Sequence, residues 1–356
     1  LTSSPPQNLT HISRYLSSCL LLGIVATSGE SSDDLTAPTD ETLSAALGYR
    51  YESANASEQI IIPTGVSLED GLDEGEAIAL ALSNNASFQV VLSNLGLEQA
   101  ALVEAGQWSN PVFSLIFPYG PRQWEMAASL PLQELWLKPR RNATAEMRAE
   151  ATSHKVVAAG LDLVRDVRTA LLTHQRNIEL AKNAAQRVIA YEESAQAYSQ
   201  RHSLKLANYR SVFAAEQALL ESRISRKSYQ NDVEESRMHL RGLMGLSEYT
   251  RELKFDPLER SLPDSFDASL SKQTALSARP DYRAAELELE AAAKERGIAR
   301  SDFYRIVGQL DVDFPNGNGK VAPGLDFELP IFNRGNGGKA KTTADWKNKA
   351  ARFADT

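Results

Sequence analysis

Cysteine occurs once, at Cys19, which excludes an internal disulfide framework and a cysteine-built metal site. Histidine is also scarce: His11, His154, His174, His202 and His239 are scattered, with no pair at a metal-ligand spacing such as HxxxH. Basic residues are outnumbered, 38 against 46 acidic ones, so a net charge of −8 offers no electrostatic footprint for nucleic acid. The longest apolar run, Tyr15 to Ala26 (YLSSCLLLGIVA), falls short of the ~20 residues a membrane helix needs. No nucleophile–base pair, phosphate loop or ligand cluster is visible, so neither an enzyme nor a bound cofactor is expected. What the chain does have is 42% apolar residues over a length of 356, enough for a sizeable core and for two ordinary domains.

The apolar run follows His11 and Arg14 and precedes Ala26-Thr27-Ser28-Gly29, the order of an export signal, so residues 1–28 are read as signal-like. Leu16-Ser17-Ser18-Cys19 also has the outline of a lipoprotein box, although most of the apolar run lies after the cysteine rather than before it. Residues 29–66, rich in Ser, Thr, Asp and Ala without a clear period, read as a linker.

Beyond the linker the chain repeats itself. ALSNNASFQ (Ala81–Gln89) returns as ALSARPDYR (Ala275–Arg283), with Phe88 facing Tyr282. Each copy leads into a helix-favouring stretch, and each helix into two alternating segments. In the first copy Phe113, Leu115 and Phe117 share a face, then Trp124, Met126, Ala128, Leu130 and Leu132 alternate with Glu125, Ala127 and Ser129. In the second, Ile306, Gly308, Leu310, Val312 and Phe314 oppose Val307, Gln309, Asp311 and Asp313, and after a Pro-Asn-Gly turn Leu325, Phe327, Leu329 and Ile331 oppose Asp326 and Glu328. The organisation expected is first-repeat helices over 67–110, a β-hairpin over 111–133, a long helical hairpin over 139–247, a linker over 248–273, a second-repeat helix over 274–300, a second β-hairpin over 304–332 and a tail over 333–356.

Two environments give strands with one apolar and one acidic flank: a soluble sheet with one wet face, and a membrane barrel that alternates apolar-out and polar-in with aromatics near strand ends. Trp108, Phe117, Tyr119 and Trp124 flank the first hairpin, and Tyr304 and Phe314 the second. Four strands cannot close on themselves, since even the smallest barrels need about eight, so a membrane sheet here would have to be shared between chains.

The middle of the chain lacks proline between Pro139 and Pro257 and glycine from Leu161 to Arg241. Apolar residues recur three or four apart at Val157, Leu161, Val164, Leu171 and Ile178, and again at Leu206, Tyr209, Phe213, Leu220 and Ile224. The polar patch Ser199-Gln200-Arg201-His202-Ser203 is the expected break of a helical hairpin with arms of ~60 residues, about 90 Å each. By itself this segment reads first as a soluble antiparallel coiled coil, and its thin stripe flanked by alanines also suits helices packed side by side around a water-filled tube.

The order of these elements resembles the TolC-like outer-membrane efflux protein family. The residues that carry the resemblance are Glu76-Ala77-Ile78-Ala79-Leu80-Ala81-Leu82 with Asn84-Asn85, Glu104-Ala105-Gly106 followed by Asn110-Pro111, Trp136-Leu137-Lys138-Pro139-Arg140-Arg141, Ala278-Arg279-Pro280-Asp281 and Leu329-Pro330-Ile331-Phe332-Asn333. The resemblance implies a mixed α and β fold: a coiled-coil-like helical hairpin plus two β-hairpins giving four strands to a transmembrane β-barrel shared by a homotrimer, with an internal two-fold repeat whose second copy is incomplete. It implies a passive conduit in the outer membrane, with a periplasmic helical portion, serving a periplasmic adaptor and an inner-membrane pump that expels drugs or heavy metals. On this reading Phe113, Leu115, Phe117, Leu325 and Phe327 face outer-membrane lipid, while Glu125, Asp311, Asp313, Asp326 and Glu328 face the lumen. Gln200, Arg201, His202 and Ser203 form the tip that meets the adaptor. Family members continue into another long helical pair, so this chain is read as a C-terminally shortened version. The competing expectation is an exported coiled-coil scaffold that conducts nothing.

Overall fold

The computed structural model describes residues 60–69, 71–117, 125–249, 251, 253–257, 278–301, 305–313, 320–328 and 334–356. In order these form α1 (Glu74–Asn84), α2 (Ala86–Gly106), β1 (Val112–Ile116), β2 (Glu125–Pro131), α3 (Glu134–Ser203), α4 (Tyr209–Leu243), α5 (Pro280–Ser301), β3 (Ile306–Asp313), β4 (Lys320–Phe327) and α6 (Asn336–Asp355). The signal-like segment, most of both linkers, Cys19, both hairpin turns, and the ends of the second hairpin at Tyr304, Phe314 and Leu329–Asn333 lie outside the described residues. The described chain divides into two compact units, 60–90 with 159–257 and 91–158 with 278–356.

In the first unit α1 is set by its cap. Asp73 accepts from the Glu76 amide at 2.7 Å while Glu76 accepts from the Asp73 amide at 3.0 Å, a reciprocal box that satisfies two free donors of the first turn. The helix then buries Ala77 to Leu82 outright, which is why the run is apolar without amphipathic spacing. The phrase that repeats marks the junction that follows. Asn84 clamps Ile61 through both amide atoms at 2.7 Å, and Asn85 reaches the Leu243 carbonyl at 2.9 Å while capping α2 through the Phe88 amide. In the second copy α5 opens at Pro280 as α2 opens at Ala86, and β3 opens at Ile306 as β1 opens at Val112, at one constant offset. Proline fits there because the first helical residue has no intrahelical partner for its amide.

Helices α3 and α4 pack along a seam whose buried positions on α3 step mostly three, four or seven residues apart. They include Leu163, Val167, Ala170, His174, Asn177, Ala184, Val188 and Ala195, with Val164 and Leu171 of the expected stripe also buried; on α4 the buried positions are Val212, Ser222, Ser236 and Leu240. Polar members are satisfied across the seam: Asn177 donates to the Asp232 carbonyl at 3.1 Å, and His174 Nδ1 lies 2.9 Å from Ser236 Oγ. Phe255, bridged to Leu72, packs edge-on to His174 with ring centres 5.4 Å apart.

Three expectations for this hairpin change. The arms are unequal, 70 residues in α3 and 35 in α4, because α3 starts directly after the sheet and runs through Pro139. The return stripe Leu206, Tyr209, Phe213, Leu220 and Ile224 is exposed, and so are Leu161 and Ile178 on the way out. Smaller and polar residues one helical step away make the seam, since a narrow helix–helix approach favours Ala, Ser and Val. The patch Ser199–Ser203 is still helical, and the turn comes after it. There Leu206 donates to the Arg201 carbonyl and Lys205 to His202, a two-bond C-terminal lock whose pivot, Lys205, sits at φ 62. His202 Nδ1 donates to the Ala207 carbonyl at 2.9 Å, closing the loop.

In the second unit Glu288 joins α5 to both neighbours, accepting from Lys155 of α3 and from Lys349 of α6 at 2.7 Å. Arg148 pairs with Glu295 at 2.5 Å, Arg296 stacks over Trp346, and Tyr282 packs on Phe353 with ring centres 5.1 Å apart. Burial alone would push the Glu288 carboxyl up, but the two lysine hydrogen bonds outweigh it and hold it below the usual carboxylate range.

Left-handed backbone is costly for any residue with a Cβ, so Lys205→Gly should raise unfolding stability by ~1 kcal/mol in denaturant titration. Gly245→Ala should do the reverse by at least ~2 kcal/mol, because at φ +67 a methyl group there would lie 2.2 Å from the Asn84 carbonyl oxygen. The pH dependence has one sign throughout. Burial depresses the His174 and His154 imidazoles below the ordinary ~6.5, so the unfolded chain binds more protons there and stability falls as pH drops below that value. The depressed Glu288 contributes stability above the ordinary carboxylate value and loses it as pH falls through its own lower one. Thermal melts from pH 8 to 4 should therefore decline continuously, and His174→Gln should flatten the upper part of that decline.

Candidate functional site

The four strands form one antiparallel sheet in the order β1-β2-β3-β4, so the two hairpins of the repeat join through β2 and β3. Register puts Phe113 beside Ala128, Leu310 and Pro323, and Leu115 beside Met126, Val312 and Val321. One residue along, Ser114, Ala127, Asp311 and Ala322 form the next row, and Ile116, Glu125, Asp313 and Lys320 another. Since side chains alternate faces, one side of the sheet is apolar in every row and the other gathers the carboxylates. The apolar side is not covered by the protein's own helices: Phe113 is 77% exposed and Phe327 59%, with Leu115, Phe117, Met126, Leu130, Leu310, Val321 and Leu325 exposed as well.

The sequence-derived residues fall on this frame as follows. Phe113, Leu115, Leu325 and Phe327 share the apolar side, and Phe117 follows the end of β1. Glu125 and Asp311 are half-buried on the other side, Asp313 pairs with Glu125 across β2 and β3, and Asp326 is exposed in β4. Gln309 donates to Asp311 at 2.9 Å, which orients that carboxylate along its own strand. Glu328 lies just past β4 and pairs with Arg305 at 3.5 Å. Val112, Ile116 and Val307 lie on the carboxylate side, which is thus less uniformly polar than the alternation of the second hairpin implies. Gln200, Arg201, His202 and Ser203 are exposed on the last turn of α3 and belong to the other unit. Glu134 is a functional-looking group that sequence reasoning missed: buried where the sheet gives way to α3, it accepts from Arg141 and, at 3.2 Å, from Ser109. The only sequence signal for it was its place about two helical turns ahead of two arginines. No group of three or more metal-ligating side chains occurs among the described residues.

The fold is similar to those of solved outer-membrane channels. It superposes on the outer-membrane channel OprN with a TM-score of 0.65 at 16% identity, over 85% of this chain and 78% of that one. The CmeC outer membrane channel of Campylobacter jejuni matches with a TM-score of 0.63 at 14% identity, over 85% and 72% of the two chains. The outer membrane protein VceC of Vibrio cholerae gives 0.62 at 16% identity, over 79% and 74%. This chain has the TolC-like fold. No protein-family model matches the sequence, nor does any curated protein sequence, so the likeness is one of fold. Within that fold the mixed α and β class, the four-stranded antiparallel sheet and the two-copy repeat stand as the sequence implied. Among the described residues no helix is long and apolar enough to cross a membrane.

Proposed function

We propose that the protein is the outer-membrane channel subunit of a tripartite efflux system, a passive conduit for small molecules or metal ions driven by an inner-membrane pump through a periplasmic adaptor. The observation that carries this reading is the bare apolar side of the sheet, backed by carboxylates on the opposite side. In water such a side would cost ~25 cal/mol for every Å² left exposed, whereas hydrocarbon removes the cost. In a bilayer the open edges of β1 and β4 must also be paired, and four strands are too few to close. A homotrimer, giving twelve strands, satisfies both demands. The exposed stripe Leu206, Tyr209, Phe213, Leu220 and Ile224, spaced as a second helical seam, supports the same self-association.

On this reading Phe113, Leu115, Phe117, Leu325 and Phe327 face lipid. Glu125, Asp311, Asp313, Asp326 and Glu328 keep the lumen wet and disfavour anions. The turn end of α3, with Gln200, Arg201, His202 and Ser203, contacts the adaptor.

Planar-bilayer recordings on the purified protein test the proposal. Discrete conductance steps with a mild cation preference, reduced by the pair Glu125→Gln and Asp311→Asn, are the expected result. Full recovery in a detergent-free periplasmic fraction with no conductance would favour a coiled-coil scaffold instead. Neighbouring residues of β3 give a second test. Leu310→Arg should cost about 2–4 kcal/mol of stability in lipid vesicles, while Asp311→Arg should cost little.

A further inference from the structure

The apolar side of the sheet does not stop at the strands. Leu132, just after β2, lies on it, since a Cβ added at Gly308 would meet the Leu132 side chain at 3.2 Å. The next residue with an exposed apolar side chain is Leu135, 63% exposed at the start of α3. Lys138 follows three positions later, on the same side of the helix as Leu135. Its ammonium stands 4.3 Å over the ring of Trp108, which is itself 56% exposed. An apolar surface that ends in an exposed indole carrying a cation has the chemistry of a membrane boundary. Indoles settle at headgroup level, and a lysine there reaches phosphate.

Other basic groups of this region are engaged elsewhere. Arg141 is tied to Glu134, Arg148 to Glu295, Arg305 to Glu328, and Arg140 donates to Ser301 at 3.3 Å. Lys138 is half-exposed and packs on a ring, and among the described residues no ion pair ties it to a carboxylate.

We propose that Trp108 and Lys138 form a headgroup anchor that binds the phosphates of anionic phospholipid on the helix-side surface of the bilayer, fixing the depth at which the sheet sits. This rests on the channel reading above, because only an inserted sheet brings the pair to a bilayer surface. The pair acts as one unit: Trp108 sets the depth and presents the cation, and Lys138 takes the phosphate.

The test uses the full chain reconstituted in phosphatidylcholine vesicles with and without phosphatidylglycerol, and compares it with Trp108→Phe. Flotation reports insertion separately from anchoring. The Trp108 share of the fluorescence, taken as the difference between the two proteins, should be quenched at least twofold more by a headgroup-labelled lipid than by one labelled at the chain end. It should shift further when phosphatidylglycerol is present. Lys138→Glu should abolish the phosphatidylglycerol effect while the protein still floats, and Lys138→Arg should restore it. Inorganic phosphate added in detergent should leave the signal unchanged; a response there would assign the site to free phosphate and overturn the bilayer anchor. Vesicles that carry the protein but quench Trp108 without headgroup preference, or an undiminished lipid effect in Lys138→Glu, would overturn the anchor and leave the channel reading intact. Failure to float at all would remove both, and would be seen before any quenching is measured.

Discussion

A sheet that is apolar on one side and unpaired along both edges needs cover for its face and strands for its margins. Neither demand is met within this chain among the described residues. The repeat supplies two hairpins in one orientation, and joining them through β2 and β3 brings the alternation of both into a single register. A one-residue slip in that central pairing would move Leu310 to the acidic side and Asp311 to the greasy one. The pairing is therefore the most constrained contact in the sheet. It is secured at its helix end, where the Leu132 amide donates to the Ile306 carbonyl at 2.9 Å and the Gln133 side-chain Oε1 accepts from the Ile306 amide at 2.9 Å.

The helices solve a different problem. A seam of Ala, Ser, Val and Asn buries little apolar area per turn, so α3 and α4 depend on fit and on polar partners more than on hydrophobic bulk. His174 and Asn177 form one such polar layer and discourage sliding of the helices past each other. The bulky residues are displaced outward, to the stripe on α4 that in an assembly would meet another helix. Packing within the chain thus leaves a separate set of bulky residues at the surface.

Strand alternation was the clearest signal in the sequence. It depends on a period of two, which short segments display without interference, so both faces of β2 and β3 could be read residue by residue. The ALSNNASFQ repeat was legible for the same reason, because identity over a few positions is visible without knowing what they touch. The seam of the long hairpin was not legible. Large residues advertise a stripe, yet Leu220 and Ile224 lie outside while Ser222 between them lies inside. A helix with two apolar stripes gives no internal clue to which one its own partner takes. The turn was misplaced because Ser199–Ser203 has poor helix formers, and the bonds that keep it helical come from beyond it, through Lys205 and Leu206. The buried Glu134 had only a faint sequence signature, since its environment is assembled from the segment after α2 and from α3 together.

The two junctions that open α2 and α5 occupy equivalent places but are built from different chemistry. The first is a neutral amide clamp, Asn84 on Ile61. The second carries an exposed ion pair, Arg279 to Asp281 at 2.5 Å. Mobile counterions compete with the second and leave the first untouched. Salt would thus weaken the charged contact and spare the amide clamp, so two copies that look alike in backbone differ in what the surrounding ions can reach.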